Sequence, residues 1–389
     1  MIPLCVPVLR GNESRYLNEC LTTNFVSSVG PFVDRFEREF AVATGAPLGV
    51  ACVNGTAGLH LALREAGVGP GDRVLVSDFT FIASANPIIY QGAQPVLIDS
   101  EEHSWNLDPA LVEQALADGV RQGRPIKAVM AVHILGQPAD LAPIARACAR
   151  HGAVLVEDAA EALGAGYTAA YDWSGVTLPP CAVPPVGTNG ADVVRGVGTV
   201  GLVSAFSFNG NKLITTGGGG MMTTSDPAIA KHLKHISTQA KLPGVAFIHD
   251  EAGFNYRLTN LAAAMGVAQL EQVGDFLAAK ARIAARYAAL CQRKGWVFHP
   301  QLPGTRTSNW QPSFLVGTRR DALIEHLNKT GIGARPLWFP LARQKPFAGC
   351  TRYGGAVADR LGAEGITCPC SVNVSDADLD QVIATLESW

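Results

Sequence analysis

Ser207-Phe208-Asn209-Gly210-Asn211-Lys212-Leu213-Ile214-Thr215-Thr216-Gly217-Gly218-Gly219-Gly220 joins an apolar, strand-like run, a lysine at a turn and four consecutive glycines. An amine held beside apolar strands can attack a carbonyl and form a Schiff base. Glycines adopt backbone conformations that other residues avoid and let backbone approach a flat ligand closely. The same residues also describe a solvated lysine before a flexible turn. The segments on either side decide between the two.

Upstream, short apolar runs alternate with helical patterns. Strands are expected at Val50–Val53, Arg73–Ser77, Pro95–Ile98, Lys127–Val132 and Ala153–Glu157. Helices are expected at Ala57–Ala66, Ile82–Tyr90 and Leu141–Arg150. This βαβα rhythm predicts an α/β fold with a mostly parallel sheet covered by helices. Ligands of such sheets bind outside the carboxyl ends of the strands. Ala205–Phe208 and Met221–Thr224 read as strands around the Lys212 turn, and Leu258–Val273 and Asp275–Lys294 as helices.

The segment Gly166–Gly201 breaks the rhythm. Its Pro179-Pro180 and Pro184-Pro185 pairs and its glycines read as a long surface loop. Three parts are expected: residues 1–28 packing near the small domain, a large domain over 29–274, and a long helix with a small C-terminal α+β domain over 275–389.

The chain has 389 residues, 48% of them hydrophobic, enough for a large core. A net charge of −2 without a basic block argues against a nucleic-acid partner. Nine scattered cysteines, none in Cys-x-x-Cys, suggest a reducing compartment and no metal. No apolar run reaches the ~20 residues of a membrane span, and no secretory leader is recognised. A cytoplasmic protein is expected.

Two features pair with Lys212. Asn54-Gly55-Thr56-Ala57-Gly58 lies between a strand and a helix. A helix N-terminus offers free N–H groups and a positive dipole end, which suits a phosphate, although Asn or Thr also serves as an ordinary N-cap. Val156-Glu157-Asp158-Ala159-Ala160-Glu161 closes an apolar strand with three carboxylates. Asp158 at that strand end can pair with a protonated pyridine nitrogen, making the ring an electron sink; acids also favour any helix start. Phosphate cradle, strand-end aspartate and lysine together meet the needs of pyridoxal 5'-phosphate (PLP). Phe81, in Asp78-Phe79-Thr80-Phe81, can stack on the ring or pack in the core.

These motifs make the chain resemble the DegT/DnrJ/EryC1/StrS nucleotide-sugar aminotransferases, nearly end to end. The resemblance also rests on Gly253-Phe254-Asn255-Tyr256-Arg257-Leu258-Thr259-Asn260. Within the group, Phe25-Val26-Ser27-Ser28-Val29-Gly30, Thr238-Gln239-Ala240-Lys241 and His249-Asp250-Glu251 are most similar to the LegC-type branch. The resemblance implies the type I PLP-dependent, aspartate aminotransferase-like fold. It makes Lys212 the Schiff-base lysine and proton shuttle, and Asp158 the partner of the pyridine nitrogen. Gly55, Thr56 and Ser207 would bind the phosphate, Phe81 would stack on the ring, and Glu161 would lie near ring and substrate. Asn255 would reach the phosphate of a neighbouring subunit's PLP, in a homodimer with shared active sites. The implied reaction aminates a nucleotide-linked keto-deoxy sugar with glutamate as donor, at C4 of a UDP-4-keto-6-deoxy-N-acetylhexosamine. A C3 aminotransferase or a GDP-linked, perosamine-type enzyme is the alternative. Gly218 departs from the family, which often has an acid there.

On the substrate side, Lys241 belongs to the branch motif, and Arg335, in Ala334-Arg335-Pro336-Leu337, can meet a donor carboxylate or a diphosphate. A surface salt bridge is the plainer reading of Arg335. One competing motif remains. Gly196-Val197-Gly198-Thr199-Val200-Gly201 fits the dinucleotide fingerprint G-x-G-x-x-G. A strand-like run follows it where a helix is required, and no acid stands about 20 residues on. An NAD-dependent oxidoreductase is therefore the remote alternative.

Overall fold

The computed structural model describes residues 1–181, 185, 192–244 and 246–389. Pro184, of the second proline pair in the expected loop, lies outside them. An eight-stranded sheet runs in the order Leu48–Cys52, Gly220–Thr224, Ser204–Ser207, Val154–Asp158, Ala128–Val132, Arg73–Ser77, Gln94–Ile98 and Thr351–Tyr353. Its pairings are parallel except those made by Gly220–Thr224, which is antiparallel to both neighbours. The strands are buried on both faces and read as unbroken apolar runs, as parallel strands between helical layers do. Two apolar clusters cover the two faces, and a third gathers the C-terminal elements against the helix Val273–Lys294.

The local sequence explains where the elements begin. Asn54 caps the helix Gly55–Glu65 by accepting from Ala57 N at 2.8 Å. The expected helix Ile82–Tyr90 is split into a turn, Ile82–Ser84, and a short helix, Asn86–Tyr90. Pro87 is the reason: it has no N–H to donate backwards, so it sits in the first turn of a new helix. Thr259 caps the helix Asn260–Leu270, accepting from Ala262 N, so this helix starts later than expected. The helix Pro109–Arg121, capped by Asp108, was not anticipated from the sequence.

The expected loop 166–201 needs the largest correction. Gly166–Thr168 and Val193–Gly196 pair antiparallel, and Thr305–Arg306 completes a three-stranded sheet. Tyr167 holds this sheet to the body: it is fully buried, donates to Ala139 O at 2.8 Å, and packs on Tyr171 and Trp173. Strands this short carry almost no periodicity, so the surrounding prolines and glycines dominate the reading.

The second small sheet has the order Val297–Phe298, Ser313–Leu315, Gly365–Thr367, Arg335–Pro336. Ile2 joins its periphery through a bridge to Ile332, and Cys370 N donates to Leu4 O at 2.7 Å. The helix Glu13–Thr22 instead lies on the large body, where Cys20 Sγ meets Asn260 O. The strand Thr351–Tyr353 crosses back to pair with Gln94–Ile98, so the two halves of the chain share one sheet. Among the described residues no helix is long and apolar enough to cross a membrane.

Candidate active site

A cavity of about 450 Å³ opens at the carboxyl ends of the parallel strands. Its walls bring together Gly55, Thr56, Phe81, Asp158, Glu161, Ser207 and Lys212 from the large body. Trp310, Gln311, Arg335, Trp338 and Thr367 close it from the side of the second small sheet.

Asp158 ends its strand 4% exposed. Its Oδ2 accepts from Ser84 Oγ at 2.6 Å and its Oδ1 from Ala160 N at 3.1 Å. Ser84 in turn contacts Thr80 Oγ1 at 2.8 Å. The split before Pro87 places Ser84 here; inside a helix-like run it carried no signal of its own.

Lys212 follows the strand Ser204–Ser207, its side chain only 13% exposed. Its Nζ lies 3.5 Å from Glu161 Oε1 and 4.1 Å above the Trp310 ring centre, a cation–π contact. Trp310 is fixed by donating its indole N–H to Asn211 O at 2.7 Å. Glu161 Oε2 accepts from Leu135 N at 2.8 Å, and Leu135 adopts φ +56° to present that N–H. Burial pushes the Glu161 carboxyl up to about 7; the Lys212 ammonium and the Leu135 amide pull against it, and the Asp158 charge adds to the rise.

The glycines have distinct roles. A Cβ on Gly55 would stand 2.8 Å from Ser207 Cβ, so only glycine lets the helix start close over that strand end. One on Gly220 would stand 2.7 Å from the Asn54 carbonyl carbon. The close approach anticipated for a ligand is, at Gly220, an approach of two backbone segments. A Cβ on Gly218 would meet nothing within 4 Å, so its departure from the family pattern is not steric.

The dinucleotide-like glycine motif is accounted for differently. Glu157 is fully buried and points to the opposite side of its strand from Asp158. The amides of Gly198, Val200 and Gly201 donate to its carboxylate at 3.0, 2.9 and 2.7 Å, joined by Ser204 Oγ at 2.9 Å. His133 Nδ1 accepts from Ala139 N, which leaves Nε2 to donate to Glu157 at 3.0 Å. Burial would raise this carboxyl; the His133 contact and the amides outweigh it and bring it down to about 2. The loop's donors are occupied by the protein's own carboxylate and cannot cradle a dinucleotide.

The residues fit PLP by their chemistry. The first-turn N–H groups of Gly55 and Thr56 have no intrahelical acceptor and line the cavity beside the Ser207 hydroxyl. Asn211 and Gln311 line it too, and each keeps a buried polar atom without a partner among the described residues, Oδ1 and Nε2.

The chain matches the DegT/DnrJ/EryC1/StrS aminotransferase family over residues 7–387. It belongs to that family. It is a PLP-dependent aminotransferase. GDP-perosamine synthase of Caulobacter vibrioides is 38% identical over 99% of this chain and 97% of that protein. The putative pyridoxal phosphate-dependent aminotransferase EpsN of Bacillus subtilis is 36% identical, over 99% and 95%. Among solved structures, a DegT DnrJ EryC1 StrS aminotransferase from Brucella abortus superposes with a TM-score of 0.85 at 26% identity, covering 97% of this chain and 95% of its own.

Two anticipated residues stand apart from the cavity walls. Asn255 is exposed beyond the strand-like bridge Thr238–Asn255. Lys241 reaches Gly244 O at 3.1 Å and the Phe247 ring. Arg335 lines the cavity and makes no ion pair among the described residues, against the expectation of a surface salt bridge. Trp310, Gln311 and Trp338 escaped the sequence reading. They come from segments flanking two strands of the second small sheet, far downstream of Lys212, with no turn or periodic signal to mark them.

Proposed function

We propose that this aminotransferase moves an amino group from glutamate to a nucleotide-linked 4-keto sugar, with Lys212 as the proton carrier. The supporting observation is the placement of Lys212 Nζ in one cavity with Asp158 and the first turn of the helix Gly55–Glu65. Bound PLP supplies an aldehyde that condenses with amines and a ring that accepts the electron pair freed at a deprotonated carbon. Gly55, Thr56 and Ser207 would hold the phosphate, Phe81 would stack on the ring, and Asp158 would keep the ring nitrogen protonated. Ser84 and the Ala160 amide fix the direction of the Asp158 carboxylate. Lys212 takes the proton from Cα of the donor and delivers it to the cofactor carbon; with the keto sugar bound it runs the transfer backwards. Glu161 and Trp310 keep its ammonium oriented while the amine is not otherwise engaged.

The GDP-linked sugar is favoured over the UDP-linked one. Proteins named GDP-perosamine synthase from Caulobacter vibrioides, Escherichia coli O157:H7 and Vibrio cholerae are 38%, 34% and 37% identical to this chain. Asn255 belongs to this proposal as the ligand of a second subunit's cofactor phosphate in a homodimer, which accounts for its exposure outside its own cavity.

The test has two stages. Borohydride treatment of the loaded protein is expected to fix the cofactor to the peptide containing Lys212. In separate, unreduced protein, glutamate should change the cofactor's absorbance and release 2-oxoglutarate, and a GDP-linked 4-keto sugar should restore the spectrum. Restoration by UDP-linked sugars alone would refute the GDP assignment; restoration by neither would refute the sugar substrate.

A further inference from the structure

Arg335 is a half-buried cation on the cavity wall without an ion-pair partner among the described residues. Its NH2 donates to Gln311 Oε1 at 2.7 Å. That bond fixes the Gln311 amide: the oxygen faces Arg335, so the NH2 group faces away from it. Gln311 is 1% exposed, and its Nε2 is buried with no acceptor among the described residues. A buried donor left unmade costs about 1–3 kcal/mol, so a donor held this firmly implies an acceptor that arrives with a ligand.

The frame that holds the pair is the second small sheet. Ser313 and Arg335 both stand opposite Thr367 in the register of the sheet. Ser313 Oγ donates to Gln311 O at 2.9 Å and meets Thr367 Oγ1 at 2.9 Å. The result is a guanidinium and an amide side by side, offering donors only. A planar anion with two oxygens is the complement of such a pair.

We propose that Gln311 and Arg335 form a clamp for the α-carboxylate of the amino donor. Position decides between that carboxylate and the diphosphate of the sugar nucleotide. The carboxylate is one bond from the carbon whose proton Lys212 removes, whereas a diphosphate is separated from a 4-keto carbon by the sugar ring. The clamp sits next to the proton carrier: Trp310, the residue before Gln311, lies under Lys212 Nζ at 4.1 Å. Asp158 and Glu161 line the same cavity and would repel a carboxylate, which leaves the Arg335 end to receive it. The clamp rests on the transamination reading above. It adds Gln311 as the residue that aims Arg335 and supplies the second donor.

The test uses the PLP-loaded protein with L-glutamate, with and without the keto sugar. Gln311→Leu should raise the apparent KM for glutamate roughly tenfold or more, and Arg335→Gln up to roughly a hundredfold, the range for a hydrogen bond to a charged group. Gln311→Glu keeps its size and its bond to Arg335 but turns an acceptor toward the carboxylate, and should weaken glutamate further than Gln311→Leu. 4-Aminobutyrate, which lacks the α-carboxylate, should show no such dependence, so the variants lose their preference for glutamate over it. Binding of 2-methylglutamate, which has no Cα proton, is followed through tryptophan fluorescence and should weaken by the same factors. That arm reads the clamp even if the wild type transfers no amino group, and so separates failure of the clamp from failure of the proposed reaction. Unchanged binding of 2-methylglutamate in both variants overturns the clamp. So does a loss that appears in the KM for the keto sugar instead of glutamate. Circular dichroism and PLP titration of each variant identify a folding defect, in which case Arg335→Lys, which keeps the charge and loses the planar fork, replaces Arg335→Gln.

Discussion

Glu161→Gln is expected to stabilise the cofactor-free protein at alkaline pH and to do so less at acid pH. Burial raises the Glu161 carboxyl from 4.5 to about 7. At ~1.4 kcal/mol per pKa unit, that shift corresponds to about 3 kcal/mol. The folded chain binds this proton more tightly than the unfolded chain. The contribution is therefore fully present below the unfolded value and is lost as pH rises through about 7. Glutamine mimics the protonated side chain in size and keeps an oxygen for the Leu135 N–H. The stability gap between variant and wild type should widen by about 2–3 kcal/mol between pH 5 and pH 8, because other titrating groups cancel in the difference. Urea unfolding of both proteins at the two pH values measures it, provided the m-values agree. A gap that is constant, or that widens toward pH 5, would refute the claim that an ionised Glu161 is held at a cost beside Asp158.

Three further outcomes follow from other parts of the structure. Glu157→Gln should destabilise by about 3 kcal/mol at neutral pH, since its carboxyl is held down at about 2; this stability is present above the unfolded value and is lost as pH falls through about 2, so the deficit of the variant shrinks in acid. Thermal unfolding from pH 7 to pH 3 reads it, and a deficit independent of pH would count against the caged carboxylate. Gly198→Ala should cost about 1–3 kcal/mol, since Gly198 has φ +88° and a Cβ there would stand 2.5 Å from the Phe206 ring; an unchanged urea midpoint would contradict the packing. Mixing Lys212→Ala with Asn255→Ala subunits should restore roughly a quarter of wild-type sites if Asn255 serves the partner's cofactor in a two-fold dimer; mixtures no more active than their components would refute the shared site.

The large body was readable because parallel strands buried on both faces are continuous apolar runs, and those around Arg73–Ser77 and Val154–Asp158 differ from expectation by a residue at most. That Gly55, Asp158 and Lys212 meet in one cavity was readable because each lies beside a strand end, where sequence order and chemistry coincide. Three things were not legible. Ser84 reached Asp158 only because Pro87 broke a helical pattern. The strands Gly166–Thr168 and Val193–Gly196 are held by Tyr167 packing and by pairing across distant sequence. Trp310, Gln311 and Trp338 reach the cavity through a tertiary meeting of two sheets, which no local pattern encodes. The glycine motif near residue 200 shows the opposite hazard: a correct match to an anion-cradling pattern, whose anion is an internal glutamate.

That internal glutamate has a consequence for how sequence change is absorbed. Glu157 and Asp158 are adjacent, so the loop that grips one carboxylate fixes the aim of the other. Upstream of Val193 the chain can grow or shrink at its exposed stretches, as at Gly175 and Thr177, and the strand end stays where it is. Between Gly198 and Ser204 four donors have an assigned place on Glu157, and the loss of one residue would turn the strand end and swing Asp158 away from Ser84. The boundary between a segment free to diversify and one held to register falls within a few residues, inside what reads as a single loop.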